Sequence, residues 1–169
     1  MTEPSFSESD ERYPVRLLDT RVLIDIAAIA DDRLPVQARI STITLAELGL
    51  GIALADTPQT LALRTERLLA IEHSFDALPF SSTAARRFTS MAKMVVASGR
   101  SPKPRRMDLM IAAIASANDL PLFTRNADDF KDLDRLLHPG LDLVPGPLKV
   151  ARCQRTTAAG QLDLCTPGG

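Results

Sequence analysis

Two adjoining stretches decide the fold, and they read RRMDLMIAAIASAN at residues 105–118 and LPLFTRNADDF at residues 120–130. The first predicts a small, apolar, alanine-rich helix that opens with the carboxylate of Asp108. The second predicts a short strand that ends in Thr-Arg-Asn and two aspartates. In an open α/β sheet, groups at the carboxyl ends of the strands share one crevice. Asp128 or Asp129 can therefore meet acidic residues that other strand ends deliver.

Two further acids follow predicted strands nearer the N-terminus. The apolar run Val15–Leu18 ends at Asp19, and a second predicted strand at residues 38–43 leads into a helix that carries Glu47 in its first turn. Glu47 also has a purely structural interpretation, because Thr44 and Glu47 have the spacing of a capping box. In that motif the glutamate binds a backbone amide at the helix start. Taken alone, the spacing favours the structural role.

The rest of the chain alternates helices and strands. Pro79 weakens one strand and predicts an edge position or a strand end, and Gly99 predicts the end of a long helix. Such alternation is typical of an α/β fold with a mostly parallel sheet covered by helices on both faces. The further elements predicted are a surface helix at residues 58–74 with solvated charges, a strand at 75–80, helices at 82–98 and 129–137, and a strand at 141–144.

Length and composition limit the classes of protein to which this chain can belong. A chain of 169 residues can bury one core, and its net charge of −1 excludes a global basic field that would attract nucleic acid. We expect a flexible N-terminus at residues 1–14, one domain at residues 15–148 and a disordered tail at residues 149–169. No apolar run reaches the roughly 18 residues of a membrane span, and no signal peptide is apparent, so we expect a cytoplasmic protein.

The cysteine and histidine residues do not predict a metal site. Cys153 and Cys165 both lie in the predicted tail, where we expect free thiols, and His73 and His138 are far from each other and from the cysteines in sequence. The spacing of a zinc site is therefore missing from the sequence.

The acids instead predict a site for a hard cation. Carboxylates that converge repel one another, and a bound cation offsets that repulsion. Ligands that are all oxygen favour Mg²⁺ or Mn²⁺, which polarise a phosphoryl oxygen and help to produce a hydroxide nucleophile, so the matching reaction is hydrolysis of a phosphodiester. The basic segment at residues 99–106 precedes Asp108 directly, and it is either a solvated connection or a phosphate clamp.

Four ordered motifs resemble those of a known family. They are Leu-Leu-Asp-Thr-x-Val-Leu-Ile-Asp from residue 17, Ile-Thr-Leu-Ala-Glu-Leu from 43, Arg-x-Asp-Leu-x-Ile-Ala-Ala from 106 and Thr-Arg-Asn-x-x-Asp-Phe from 124. In that order they are similar to the PIN-domain ribonucleases of the VapC toxin type, over residues 15–145. The resemblance implies a three-layer α/β/α sandwich and a Mg²⁺- or Mn²⁺-dependent endoribonuclease that acts on tRNA or rRNA. It also implies inhibition by a cognate VapB-like antitoxin, a homodimer, a toxin–antitoxin hetero-oligomer, and contact with DNA only through the antitoxin.

The same resemblance assigns the site residues. It implies that Asp19, Glu47 and Asp108 are the first three catalytic and metal-binding acids and that Asp128 is the fourth, with Asp129 and Asn126 beside it. Asp25 is interpreted as structural. Thr20 and Thr124 are expected to orient a carboxylate or water through their hydroxyls. The candidates for RNA phosphate binding are Arg105, Arg106 and Arg125.

Arg21 departs from the family pattern, which usually has a small residue, often serine or asparagine, at this position. Its guanidinium can pair with Asp19 and compete with the metal, or turn outward and bind RNA phosphate. The sequence therefore leaves open a catalytically impaired PIN-like module that acts by binding a protein partner or RNA. An aspartyl-phosphate phosphatase built on Asp19 would need an aspartate two positions later, and Arg21 stands there.

Overall fold

The structure is a computed structural model that describes residues 15–29, 34–126, 130, 133 and 141–143. Several predictions concern residues outside these ranges: the N-terminal segment at 1–14, the tail at 149–169 with both cysteines, and the helix at 129–137 apart from Phe130 and Leu133. Among the described ranges, no helix is both long and apolar enough to cross a membrane.

The core of the fold is a five-stranded sheet in which every paired strand is parallel. The strands are β1 (Val15–Leu18), β2 (Gln37–Ser41), β3 (Ala77–Leu78), β4 (Leu122–Thr124) and β5 (Leu141–Leu143), and their order is β3-β2-β1-β4-β5. The two-residue β3 lies at an edge, as Pro79 predicted. From β1 the chain builds outward to β2 and β3 on one side and later to β4 and β5 on the other. The strand order therefore reverses between β1 and β4, which is where open α/β sheets bind ligands.

Helices cover both faces of the sheet. They are α1 (Thr20–Ile24), α2 (Thr42–Ala53), α3 (Pro58–Ser74), α4 (Ser82–Ala97) and α5 (Arg106–Ala117), with short 3-10 turns at Ile26–Ala28 and Lys103–Arg105. The strands β1 and β4 alternate their side chains between two hydrophobic clusters. Leu17 and Leu122 pack with α4 and α5, whereas Leu18 and Phe123 pack with α1 and with Ile71 of α3. The predicted three-layer sandwich is confirmed.

The central helix α5 explains why the alanine-rich stretch decides the fold. Residues 111–116 are buried without interruption, so this helix is apolar on every side and packs closely between its neighbours. Two α-helices are followed by a residue with positive φ, and the sequence predicted the first of these helix ends. Gly99 follows α4 at φ +76°, and Asp119 follows α5 at φ 52°, which are left-handed conformations that end a helix.

The start of α2 corrects one prediction. Ser41, and not Thr44, is the residue that caps this helix, and the Ser41 hydroxyl accepts the backbone N–H of Thr44 at 3.0 Å. The helix begins at Thr42, so Glu47 is its sixth residue and lies beyond the first turn. The capping-box interpretation of Glu47 is therefore wrong, because the helix start lies one turn earlier than the sequence pattern suggested.

Candidate active site

Asp19 lies at the point where the strand order reverses. It follows β1 directly, its backbone N–H donates to the carbonyl of Phe123 in β4 at 3.0 Å, and only 3% of the residue is exposed. The Thr124 hydroxyl, also fully buried, donates to Asp19 Oδ2 at 2.8 Å, and in turn accepts the backbone N–H of Asn126 at 3.1 Å. This chain of hydrogen bonds fixes the Asp19 carboxylate across the crevice. The prediction that Thr124 orients a carboxylate is confirmed.

Glu47 reaches the same place from α2. The hydroxyl of Thr20, the first residue of α1, donates to Glu47 Oε2 at 2.5 Å, and only 8% of Thr20 is exposed. The second predicted orienting threonine is thereby confirmed as well. Because Thr20 is adjacent to Asp19 in the chain, the contact holds the two acids side by side, and neither carboxylate is engaged in capping its own helix.

The environment of Glu47 favours its protonated form. Burial raises the pKa of Glu47 above its ordinary value of 4.5, and the hydrogen bond from Thr20 lowers it. The negative charge of Asp19 also raises the pKa, and the positive charge of Arg21 lowers it. The repulsion between Asp19 and Glu47 is the electrostatic signature of two converging carboxylates, and a cation placed between them would relieve it.

One cleft of about 570 Å³ brings three predicted acids together, and they are Asp19, Glu47 and Asp108. Asp108 is the third residue of α5, and Pro104 and Met107 line the cleft with it. The fourth predicted acid, Asp128, and its neighbour Asp129 lie outside the described residues. Asn126 is described, and it lines a second cleft beyond Arg21.

The donors of this cleft fit a hard divalent cation in kind, since all three are carboxylates. Within the part of the chain that the structure describes, no three His, Cys, Asp or Glu side chains stand close enough together to hold an ion as they are. A cation would therefore need these carboxylates to come closer together, or would take further ligands from outside the described ranges.

Three arginines line the same cleft, and the sequence interpretation missed two of them. Arg64 and Arg67 of α3 border the acids, although the sequence suggested a solvated face for this helix. Their spacing of three residues, which puts them on one face of a helix, was the available signal. The third is Arg21 of α1, whose charge acts on Glu47.

The three arginines predicted to bind phosphate stand elsewhere. Of the basic segment, Pro104 is among the described residues that line the acidic cleft, whereas Arg105 and Arg106 are not. Arg125 forms an ion pair with Asp25, which ties the end of β4 to the end of α1. That pair agrees with a structural role for Asp25. Together with Arg21 and Asn126 it lines the second cleft, of about 460 Å³.

Comparison with known proteins gives the family. A sequence model described as the PIN domain matches residues 15–136. The chain belongs to the PIN domain family. It is 34% identical to Ribonuclease VapC5 of Mycobacterium tuberculosis over 123 residues, which is 70% of this chain and 87% of that protein. The resemblance stated from the four motifs is confirmed.

Solved structures of similar chains agree with the fold. The chain is similar to a chain of VapBC-5 from Mycobacterium tuberculosis, a member of the VapBC family of toxin–antitoxin systems, with a TM-score of 0.60 and 33% identity over 72% of this chain and 91% of that one. It is also similar to a chain of FitAcB from Neisseria gonorrhoeae, with a TM-score of 0.58 and 27% identity over 71% of this chain and 93% of that one.

Proposed function

We propose that this PIN-domain protein is a Mg²⁺- or Mn²⁺-dependent endoribonuclease, the toxin of a toxin–antitoxin pair, and that it hydrolyses phosphodiester bonds of tRNA or rRNA in the cytoplasm. One observation carries the proposal. Three carboxylates from three different elements, Asp19, Glu47 and Asp108, line one cleft at the reversal of strand order. The similarity to a protein named as a ribonuclease supplies the reaction class.

The cation would be held by these three acids, with Asp128 as the predicted fourth. When bound, it supplies polarisation of a phosphoryl oxygen. The protein's own part is to keep the carboxylates in position: Thr124 holds Asp19, and Thr20 holds Glu47.

A protein partner is part of the proposal, and it is a VapB-like antitoxin. The similar VapBC-5 structure belongs to a family of toxin–antitoxin systems. In this chain, α2, the residue that follows it and α3 expose large leucine side chains, each between 46% and 69% exposed, and both helices also contribute residues to the cleft. Exposed apolar side chains grouped on adjoining helices mark protein interaction surfaces. They are Leu50, Leu54, Leu61, Leu63 and Leu69. We propose that the antitoxin covers this surface, that the toxin forms a homodimer, and that DNA contact occurs only through the antitoxin.

Arg21 favours a second candidate function. Arg21 lines the cleft, and its positive charge lowers the pKa of Glu47, as the charge of a bound cation would. If this guanidinium substitutes for the cation, the protein is a catalytically impaired PIN module that acts by binding a partner or RNA. Replacing Arg21 by serine separates the two candidates, because an impaired module would gain cleavage activity.

The test of the proposed function is cleavage of total cellular RNA by the purified protein with Mg²⁺ or Mn²⁺, with EDTA, and with Asp108→Asn. Arg87→Gln, on the exposed side of α4, is the matched control for a single charge change. Discrete fragments that need both the metal and Asp108 are the expected result. Intact RNA at every metal concentration would refute the nuclease, and cleavage by Arg21→Ser alone would support the impaired module.

A further inference from the structure

Arg64 and Arg67 form a cationic wall beside the acids. They are three residues apart on α3, so they share a face of that helix, and both line the cleft of Asp19, Glu47 and Asp108. Arg67 is exposed and makes no ion pair with any side chain in the described ranges. Its guanidinium is therefore available to an anion that enters the cleft.

Arg64 is held in place by the helix that carries Glu47. Its guanidinium donates a hydrogen bond to the backbone carbonyl of Gly51, which lies one helical turn after Glu47 on α2 and also lines the cleft. Gly51 belongs to the last turn of α2, where carbonyls lack partners within the helix. The bond fixes one edge of the guanidinium near the acids and leaves the arginine further N–H donors for a ligand.

An apolar groove continues from this wall. Its volume is about 220 Å³, and it shares Ile24 and Arg67 with the acidic cleft. Its remaining lining is mostly apolar and includes Ala70, Ile71 and the half-buried ring of Phe75. The order along the surface is therefore acids, guanidinium groups and apolar groove.

We propose that Arg64 and Arg67 bind the RNA phosphate next to the scissile one, and that the groove beside Arg67 holds the base of that neighbouring nucleotide. This inference rests on the proposed endoribonuclease function. Acids alone repel the RNA backbone, so a flanking cationic wall is needed to hold the strand over them. Guanidinium groups and aromatic rings stack with unpaired bases, whereas a base in a duplex is already stacked. The substrate at this position is accordingly a single strand.

The experiment measures RNA affinity separately from cleavage. All proteins carry Asp108→Asn, so that the RNA stays intact, and a fluorescent single-stranded RNA is titrated at several salt concentrations. The variants are Arg67→Gln alone and Arg67→Gln with Arg64→Gln, and Arg87→Gln on α4 is the matched control. We expect Arg67→Gln to weaken binding about tenfold, the order of one charge-assisted hydrogen bond. We also expect it to reduce the slope of log affinity against log salt by about 0.7.

A groove variant and a duplex test the second half of the inference. Ala70→Phe fills the groove from its exposed edge, and we expect it to weaken single-strand binding while a duplex of the same sequence binds poorly throughout. Unchanged affinity and salt slope in Arg67→Gln would overturn the proposed phosphate subsite. The cationic wall would then be assigned to a protein ligand instead. Equal binding of the duplex would overturn the single-strand assignment. If active protein cleaves RNA in either case, the proposed function still stands; absence of RNA binding by every variant together with absence of cleavage by the active protein refutes both.

Discussion

Replacing Thr124 by valine tests the hydrogen bond that holds Asp19. Threonine and valine have nearly the same shape, so the change removes the hydroxyl without opening a cavity. Thr124 is fully buried, and the valine methyl group that replaces its hydroxyl cannot donate to Asp19 Oδ2. A hydrogen bond to a buried charged group contributes about 1.5–3 kcal/mol to the free energy of unfolding. Burial of the added methyl group offsets up to about 0.8 kcal/mol of its loss. We expect a net loss of about 1 to 2 kcal/mol in the free energy of unfolding.

Urea unfolding and thermal melting measure this loss. For a chain of this size, the expected change lowers Tm by about 3 to 8 °C. Because the bond is made to a charge, the cost should shrink in an Asp19→Asn background, with a coupling free energy of about 1 kcal/mol in the double-mutant cycle. Additive effects of the two substitutions, within about 0.5 kcal/mol, would refute the reasoning. In the cleavage assay, Thr124→Ser keeps the donor and should retain more activity than Thr124→Val.

Three further predictions follow from the same site. In metal-free protein, the raised pKa of Glu47 stabilises the fold only below its unfolded value of 4.5, and this contribution is lost as the pH rises through the folded pKa. Glu47→Gln should therefore gain stability relative to the wild type as the pH rises above about 4.5, and a pH-independent difference in urea unfolding would contradict this. Arg21→Ser should raise the Glu47 pKa further, which NMR titration of the side chain detects as an upward-shifted midpoint. Asp25→Asn should cost less than about 1 kcal/mol, because the side chains of its ion pair with Arg125 are 44% and 29% exposed; a loss above about 2 kcal/mol in urea unfolding would show that the pair is structurally essential.

Much of the fold is readable from the sequence because each element has a local signal. The apolar run Val15–Leu18 and the helix Pro58–Ser74 were predicted at the bounds that the structure has. The start of α2 was misplaced because two threonines and Ser41 all precede Glu47 at plausible cap positions. Only the path of the backbone decides among them. The error mattered for function, since it made Glu47 look like a capping residue.

The acidic residues of the site were predicted from the sequence, whereas two of its arginine residues were missed. Asp19 follows a strand and Asp108 lies in the first turn of a helix, and the topology of the sheet brings both positions to one crevice. The spacing of three residues puts Arg64 and Arg67 on one face of α3, but they reach that crevice only because α3 packs back against α2, and the sequence does not show which face is turned toward α2. Arg125 was predicted to bind phosphate, yet its partner Asp25 is 100 residues away in sequence, a contact that no local pattern reports.

The measurement that tests the central claim most directly is a Mn²⁺ titration of one protein preparation, with bound Mn²⁺ read by electron paramagnetic resonance and RNA cleavage read in parallel. The account predicts that cleavage rises over the same Mn²⁺ range as binding, and that Asp108→Asn weakens both while Arg87→Gln changes neither. Cleavage that persists in EDTA, or that Asp108→Asn leaves intact, would contradict the claim that Asp19, Glu47 and Asp108 form a metal-dependent ribonuclease site.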